Sequence, residues 1–475
     1  MLTETVNGNS RLSFWPRVRE FAVPPSMIET ATARRHAGDW AGACAAAGID
    51  VDLSPRSAAR THGSEFAARL RSDLRHLAPD LLRWHMPRIA PDGLLRPGLT
   101  VALARYDVAG RDGVYPVRLV VRTPPAWADA GQRISLALWD GSRTASGARG
   151  RPHPHPHPHP HPDRRFRLDL HRHLWDARRT DELRVRSGAG QSPAGGRPAT
   201  DPDLAAAVPP GHPCAVGRWA AEAEILLRAE GRSTGAFTVR LGAGRRLDLE
   251  LVADRGGAGP PVPRLRAASS YGVASALPVL PDAATWVPPD LELIRAGLIG
   301  AGLLHPLVAS ALVPDHAPRG PSRDADPAGR ARLVACRGVQ HRIGLVDGVL
   351  APLDHEPDEI RREELLASLG GTPLPCLRAI DEAHRSPDCL SGVRERLDHG
   401  DAAGALAVVE RLLGPDALLR GGALRDELET AAERRIVYGL FRAGMVGPGP
   451  RSGRNLPPGP RPRDVRSRPR HVTTR

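Results

Sequence analysis

The sequence predicts a multidomain α+β protein: a helical N-terminal region, a β-rich antiparallel middle, a mixed then all-helical C-terminal region and a disordered basic tail. Three observations predict it. Apolar residues recur at helical spacing through 1–96, β-branched and alternating runs replace them over 97–256, and 264–445 begins with a meander-like pattern and ends in helical periodicity. The remaining residues, 446–475, are rich in Arg, Pro and Gly.

In the first region, Ser26-Met27-Ile28-Glu29 has the spacing of a capping box, so a helix is expected from there to His36-Ala37. Gly38 closes it, and Asp39 caps a second helix through WAGACAAAG. Phe66, Leu70, Leu74 and Leu77 form one apolar stripe, and Pro79 opens a short helix, PDLLRWHM.

Strands are expected next at LTVALARY, VYPVRLVVRT and ISLALWD, then at FRLDLHRHL (166–174), ELRVR (182–186), FTVRL and RLDLELV. A helix, GRWAAEAEILLRAEG, interrupts them at 217–231. Two polar insertions belong to this middle region, a loop at 144–164 and a linker at 187–212. In the C-terminal region, RLVACRG, VQHRIGLV and VLAPL predict a meander with a type I′ turn at Asp347-Gly348. Pro357 starts the helix DEIRREELLASL, which Gly370-Gly371 stops, and Ser391 to Gly444 is wholly helical. The charged residues Asp358, Glu359, Arg361, Arg362 and Glu363 are read as intrahelical pairs.

One string repeats. AGDWAGA (37–43) returns as HGDAAGA (399–405), each between two helical patterns. The glycine suits a left-handed C′ position, the aspartate an N-cap, and the small residues a close helix–helix approach. The turn resembles the inter-helix turn of tetratricopeptide-like arrays. Two copies without a 34-residue period predict two independent helical hairpins instead of a repeat protein.

Composition excludes several chemistries. The chain contains no lysine, so a Walker-A phosphate loop, the usual kinase design, pyridoxal-phosphate catalysis and lysine Schiff bases are ruled out. The arginine, alanine, glycine and proline excess reads as the codon usage of a GC-rich genome. Of the net +13, +7 falls on 446–475, so the rest of the chain carries an ordinary +6. The opening MLTETVNGNSRLSFWPRV lacks a signal-peptide pattern, and five scattered cysteines form no CxxC. The apolar run at 296–313 is interrupted by glycines and by His305-Pro306. A cytoplasmic protein without a membrane partner or cofactor is expected.

Five His-Pro pairs at 153–162 suggest a metal site at first sight. A polyproline II rod, however, spaces its histidines about 6 Å apart and turns them about 120° from one another. Two imidazoles on one zinc need nitrogens about 3 Å apart. The stretch is therefore read as a spacer between strands. Next to it, Asp169, His171 and His173 would share one face of the expected strand, the beginning of a metal or acid–base site. Cys376, His384, Cys389 and His399 follow C-x7-H-x4-C-x9-H, which does not match a short zinc knuckle. Arg461, Arg463, Arg466, Arg468 and Arg470 could track phosphates by counterion release, without aromatic residues to stack on bases. The features that dominate concern packing and turns, so an interaction or scaffold protein with a protein partner is expected. Salt-dependent nucleic-acid binding and a metal-dependent enzyme are the alternatives.

Overall fold

The computed structural model describes residues 12–110, 113–129, 131–140, 161–190, 208, 213–242, 245–254, 262–267, 277–316, 332–346, 349–385, 390–413, 419 and 421–445. The His-Pro pairs up to Pro160, the expected turn at Asp347-Gly348, and the tail with Arg461, Arg463, Arg466, Arg468 and Arg470 lie outside these residues.

The fold is mixed α+β. Helices α1 (Trp15–Phe21), α2 (Pro25–His36), α3 (Trp40–Ala46), α4 (Pro55–His62), α5 (Ser64–His76) and α6 (Pro79–His85) come first, with strand β1 (Ile49–Val51) after α3. A small hairpin, β2 (Arg88–Ile89) and β3 (Leu94–Leu95), leads into β4 (Thr100–Gly110), β5 (Gly113–Arg122) and β6 (Ile134–Trp139). The last three pair antiparallel, and β1 adds in parallel to β6, giving the order β1-β6-β5-β4. The helical region thus contributes a strand that its sequence did not announce, three residues being too few for a period to show. Phe66, Leu70 and Leu74 of α5 and Leu81, Leu82 and Trp84 of α6 pack on Val101, Leu103, Val117, Leu119, Val121, Ile134 and Leu136 of this sheet.

Three local expectations fail here. Helix α2 starts at Pro25 after Pro24, so Ser26 lies inside the first turn and forms no capping box; its carbonyl accepts from the Thr30 hydroxyl. The fixed φ of consecutive prolines sets the start. Residues 166–174 are not a strand. Leu170, His171 and Leu174 donate to carbonyls three residues back, which consumes amides that a ladder would need, and a 3-10 turn covers Arg172–Leu174. ELRVR is helix α7 (Glu182–Ser187), with Leu183 buried, Val185 78% exposed and Gly188 left-handed at its end. The insertion containing the His-Pro pairs is therefore followed by turns, not by a second strand.

A second core lies under α8 (Trp219–Ala229) and the meander β7 (Gly235–Gly242), β8 (Arg245–Asp254) and β9 (Val262–Ala267). Trp219, Leu226 and Leu227 pack against Phe237, Val239, Leu249 and Leu251. The passage PPVPRLR (260–266) supplies β9; Pro263 is tolerated because β9 is an edge strand. After α9 (Asp282–Thr285), the helices α10 (Pro289–Arg295) and α11 (Pro306–Leu312) return Leu293, Leu304, Val308 and Leu312 to the first core. Among the described residues no helix is long and apolar enough to cross a membrane.

The expected C-terminal meander is present as β10 (Arg332–Cys336), β11 (Val339–Val346) and β12 (Val349–Pro352). Helices α12 (Pro357–Ser368), α13 (Pro375–Arg385), α14 (Leu390–His399), α15 (Ala402–Leu413) and α16 (Ala423–Arg442) follow. The repeated string forms the same turn twice. Gly38 has φ +77°, and the Asp39 carboxylate accepts from the Gly42 amide at 2.8 Å; Gly400 has φ +90°, and Asp401 accepts from Gly404 at 2.9 Å. Each aspartate also meets an arginine five residues upstream, Arg34 at 3.1 Å and Arg396 at 2.7 Å. The second glycine is not there for helix approach: a Cβ on Gly42 or Gly404 would sit 2.0 or 2.1 Å from the capping carboxylate.

Arg83, fully buried on α6, joins these parts. Its Nε donates to Ala22 O (2.9 Å), Nη1 to Gln132 O (2.6 Å) and Ala47 O (3.5 Å), and Nη2 to His399 O (2.9 Å). Ala22 and Ala47 are the C-caps of α1 and α3, and His399 is the last residue of α14. Three helix C-termini, each carrying orphan carbonyls and partial negative charge, converge on one guanidinium. Burial pushes the Arg83 pKa down to about 10, with Arg133 adding repulsion, which still leaves it charged at neutral pH.

Arg83→Met should lower unfolding stability in urea by roughly 3–5 kcal/mol, and Arg83→Lys by less, since an ammonium retains some of the donors. The two turns give a sharper contrast. A Cβ on Gly400 would lie 2.0 Å from Gly131 O, whereas one on Gly38 meets nothing. Gly38→Ala should therefore cost about 1 kcal/mol from its backbone conformation alone, and Gly400→Ala at least about 3 kcal/mol. Equal losses in the same titration would show that the Gly400–Gly131 contact carries no weight.

Candidate metal centre

The residues first expected to bind metal are placed apart in function. His171 and His173 are both buried, with ring centroids 5.7 Å apart and edge to face. His171 Nδ1 accepts from Arg186 at 3.0 Å, and Arg186 holds Glu222 by two 2.6 Å bonds. Burial first, then the Arg186 charge for His171 and the neighbouring His171 for His173, keeps both imidazoles well below their ordinary pKa. Asp169 is turned to Arg167, which donates to it from Nε and Nη2. The strand face meant to align the three is absent, and among the described residues they form no ligand cluster.

Such a cluster exists in the C-terminal meander. Strand β10 ends on Cys336, and Arg337 (φ +52°) and Gly338 (φ +82°) turn the chain directly into β11. The primed turn matches the strand twist and leaves Cys336 pointing into the small core with Ile343. Pro375 opens α13, so Cys376 occupies its first turn, and the Cys376 amide donates to Cys336 Sγ at 3.2 Å. The sulfurs are 2.8 Å apart, too far for a disulfide bond of about 2.05 Å. Both cysteines are fully buried and free.

The third member is His355, in the turn between β12 and α12. Its Nδ1 contacts Glu359 Oε2 at 3.1 Å, and its Nε2 is buried without a hydrogen-bond partner. One ligand atom from each of Cys336, His355 and Cys376 lies within 4.8 Å of the others. His341 on β11 stacks on His355, with centroids 4.2 Å apart and planes 10° apart, and its buried Nδ1 also lacks a partner. Two sulfurs and one oriented imidazole are three of the donors of a tetrahedral zinc site. Glu359 on the far nitrogen is the carboxylate that fixes ring orientation in such sites. Bonds of about 2.3 Å would ask the sulfurs to spread to about 3.7 Å. Burial, and then the neighbouring Cys336, pushes the Cys376 thiol up to about 12, so without a cation it stays protonated.

The spacing C-x7-H-x4-C-x9-H did not point to the neighbours that Cys376 has in the fold. His399 is buried against Arg83 and Arg88, which together with desolvation hold its pKa down to about 3. The side chains of His384 and Cys389 lie outside the described residues. The true neighbour of Cys376 is 40 residues upstream, at a separation that carries no local signal. The one legible hint was His355 four residues before Glu359 at a helix start. No protein-family model, curated protein or solved structure matches the chain, so the reading of this centre rests on its own geometry.

Proposed function

We propose that the chain is an interaction protein whose C-terminal module is organised by one zinc ion, bound by Cys336, Cys376 and His355. The observation that carries the metal is the convergence of two buried sulfurs and an oriented imidazole with an unpartnered nitrogen. Both sulfur ligands are fully buried, which favours a structural over a catalytic ion. Asp169 is taken by Arg167 and His171 Nδ1 by Arg186, and the expected trio forms no ligand cluster among the described residues, so the metal-dependent enzyme finds no support there.

The interaction reading rests on α12. It buries none of its residues, and Leu365, Leu366 and Leu369 at its C-terminal end are 63%, 54% and 78% exposed. Arg337 holds the helix through Glu359 (2.9 Å) and Glu363 (2.6 Å), and His355 holds it through the same Glu359. A metal ligand and its turn thereby fix the direction in which the leucines point. Leu333 and Val339 of the meander are exposed as well. Apolar side chains displayed on a held helix suit a protein partner better than a solvated surface.

Metal analysis should use the full chain purified without a nickel column, since the His-Pro pairs have affinity for that resin. About one zinc per chain is expected, absent from Cys336→Ser/Cys376→Ser and removed by chelation of the parent protein, with a lowered melting temperature in both cases. A disulfide between Cys336 and Cys376 in non-reduced peptide mass spectra, or metal-free protein after zinc supplementation, would overturn the centre. For the surface, cross-linking at native expression should give a stoichiometric protein partner with links on α12. Leu365→Glu/Leu369→Glu should abolish those links while zinc content stays unchanged. Links that persist in this variant, or map elsewhere, would refute α12 as the contact.

A further inference from the structure

Where the outer face of the first sheet meets the second core there is a cleft of about 580 Å³. Ala102, Arg118 and Trp139 supply one side, from β4, β5 and β6; Leu226 and Glu230, in and after α8, and Leu277 to Val279 supply the other. The segment leaving the His-Pro pairs adds His161, Arg164 and Arg167 at the rim. The volume is that of a small-molecule site, and its position between two cores is a common one for such sites.

The cleft holds an uncompensated cation. Arg118 is half-buried, and its guanidinium lies 5.1 Å over the Trp139 ring, its cross-strand neighbour. Among the described residues it has no hydrogen bond and no ion pair, unlike Arg167, which is held by Asp169 and Glu230. Burial, and then Arg105 and Arg167, lower the Arg118 pKa, and Asp169 and Glu230 offset only part of this. Arg164, exposed at the rim, has no partner either. Trp139 also meets the His161 ring edge to face at 5.2 Å. The site therefore offers a planar aromatic surface, an aliphatic wall of Leu226, Leu277, Pro278 and Val279, and two free guanidinium groups. Guanidinium forks favour carboxylates and phosphates, and an aromatic next to them favours a flat ring.

From this juxtaposition we infer that the cleft binds a small ligand joining a planar ring to a phosphate or carboxylate, with the anion on Arg118 and Arg164 and the ring against Trp139. This does not rest on the zinc centre, which lies in a different core and has a separate readout.

Calorimetric titration of the full chain with AMP, phenyl phosphate and benzoate tests it. At least one should bind at a single site, and adenosine or inorganic phosphate alone should bind at least about tenfold more weakly, because each lacks one of the two features. Comparison of phenyl phosphate with benzoate distinguishes a phosphate from a carboxylate ligand. Arg118→Met and Trp139→Leu should each weaken binding at least about tenfold. Arg425→Met, at an exposed arginine of α16, should leave it unchanged. Should the Trp139 variant melt early, Arg118→Met with a melting curve like the parent's decides alone. No binding of any of the three probes at millimolar concentration, or equal binding by parent and Arg118→Met, would overturn the inference.

Discussion

The fold depends on one buried cation. Around Arg83 the C-terminal ends of α1, α3 and α14 and the carbonyl before β6 meet, and among the described residues no carboxylate hydrogen-bonds to it. Burying a guanidinium is costly, and the cost is offset only when its donors are satisfied in good geometry. Here the acceptors are the very carbonyls that helix ends leave orphaned, so cation and helix termini satisfy one another. A lysine could not do this, since three donors on a point charge do not reach four carbonyls in a plane-like fan. The absence of lysine, which excluded catalytic classes, is thus consistent with how this core is built.

From that centre the C-terminal helices are fixed against the N-terminal body. The His399 carbonyl accepts from Arg83, and the next residue, Gly400, touches the Gly131 backbone. On the far side, Arg442 of α16 pairs with Asp52, and the Tyr438 hydroxyl donates to Asp50 of β1. A second buried arginine, Arg19 of α1, is held by Asp290 of α10, lies over the rings of Trp15 and Trp84, and donates to the Trp84 carbonyl. Leu350 of β12 touches both the metal-centre cluster and the α14–α16 cluster. The candidate metal centre is therefore one step of packing away from a rigid frame, which is what the proposed ion would need in order to orient α12.

Much of this was legible where the signal is local. The α5 stripe, β4 to β6, α8, the C-terminal meander and the Gly-Asp turns follow from period, caps and turn residues within a few positions. What failed was short or depended on distant groups. FRLDLHRHL alternates like a strand, but Trp175 Nε1 binds Leu168 O and Arg167 takes Asp169, so local turns win. ELRVR offered two apolar residues, too few to separate period 2 from 3.6. The candidate metal ligands needed Cys336 and Cys376 from a strand end and a helix start, and the Arg83 hub needed four carbonyls that no side-chain pattern encodes.

Arginine enrichment shows most clearly why composition could not sort function. By count, every arginine looks alike and is explained by codon usage. In the fold they separate by how their burial is compensated. Arg83 has carbonyls, Arg19 has Asp290 and two indoles, and Arg186 has Glu222; each is a closed set. Arg118 is half-buried against the Trp139 face, with no hydrogen bond or ion pair of its own among the described residues. A cation–π contact is worth about 0.5–2 kcal/mol, less than the loss of hydration it accompanies. An anion in the cleft would complete its hydrogen bonding, which is the physical ground of the proposed ligand site that the abundance of arginine conceals.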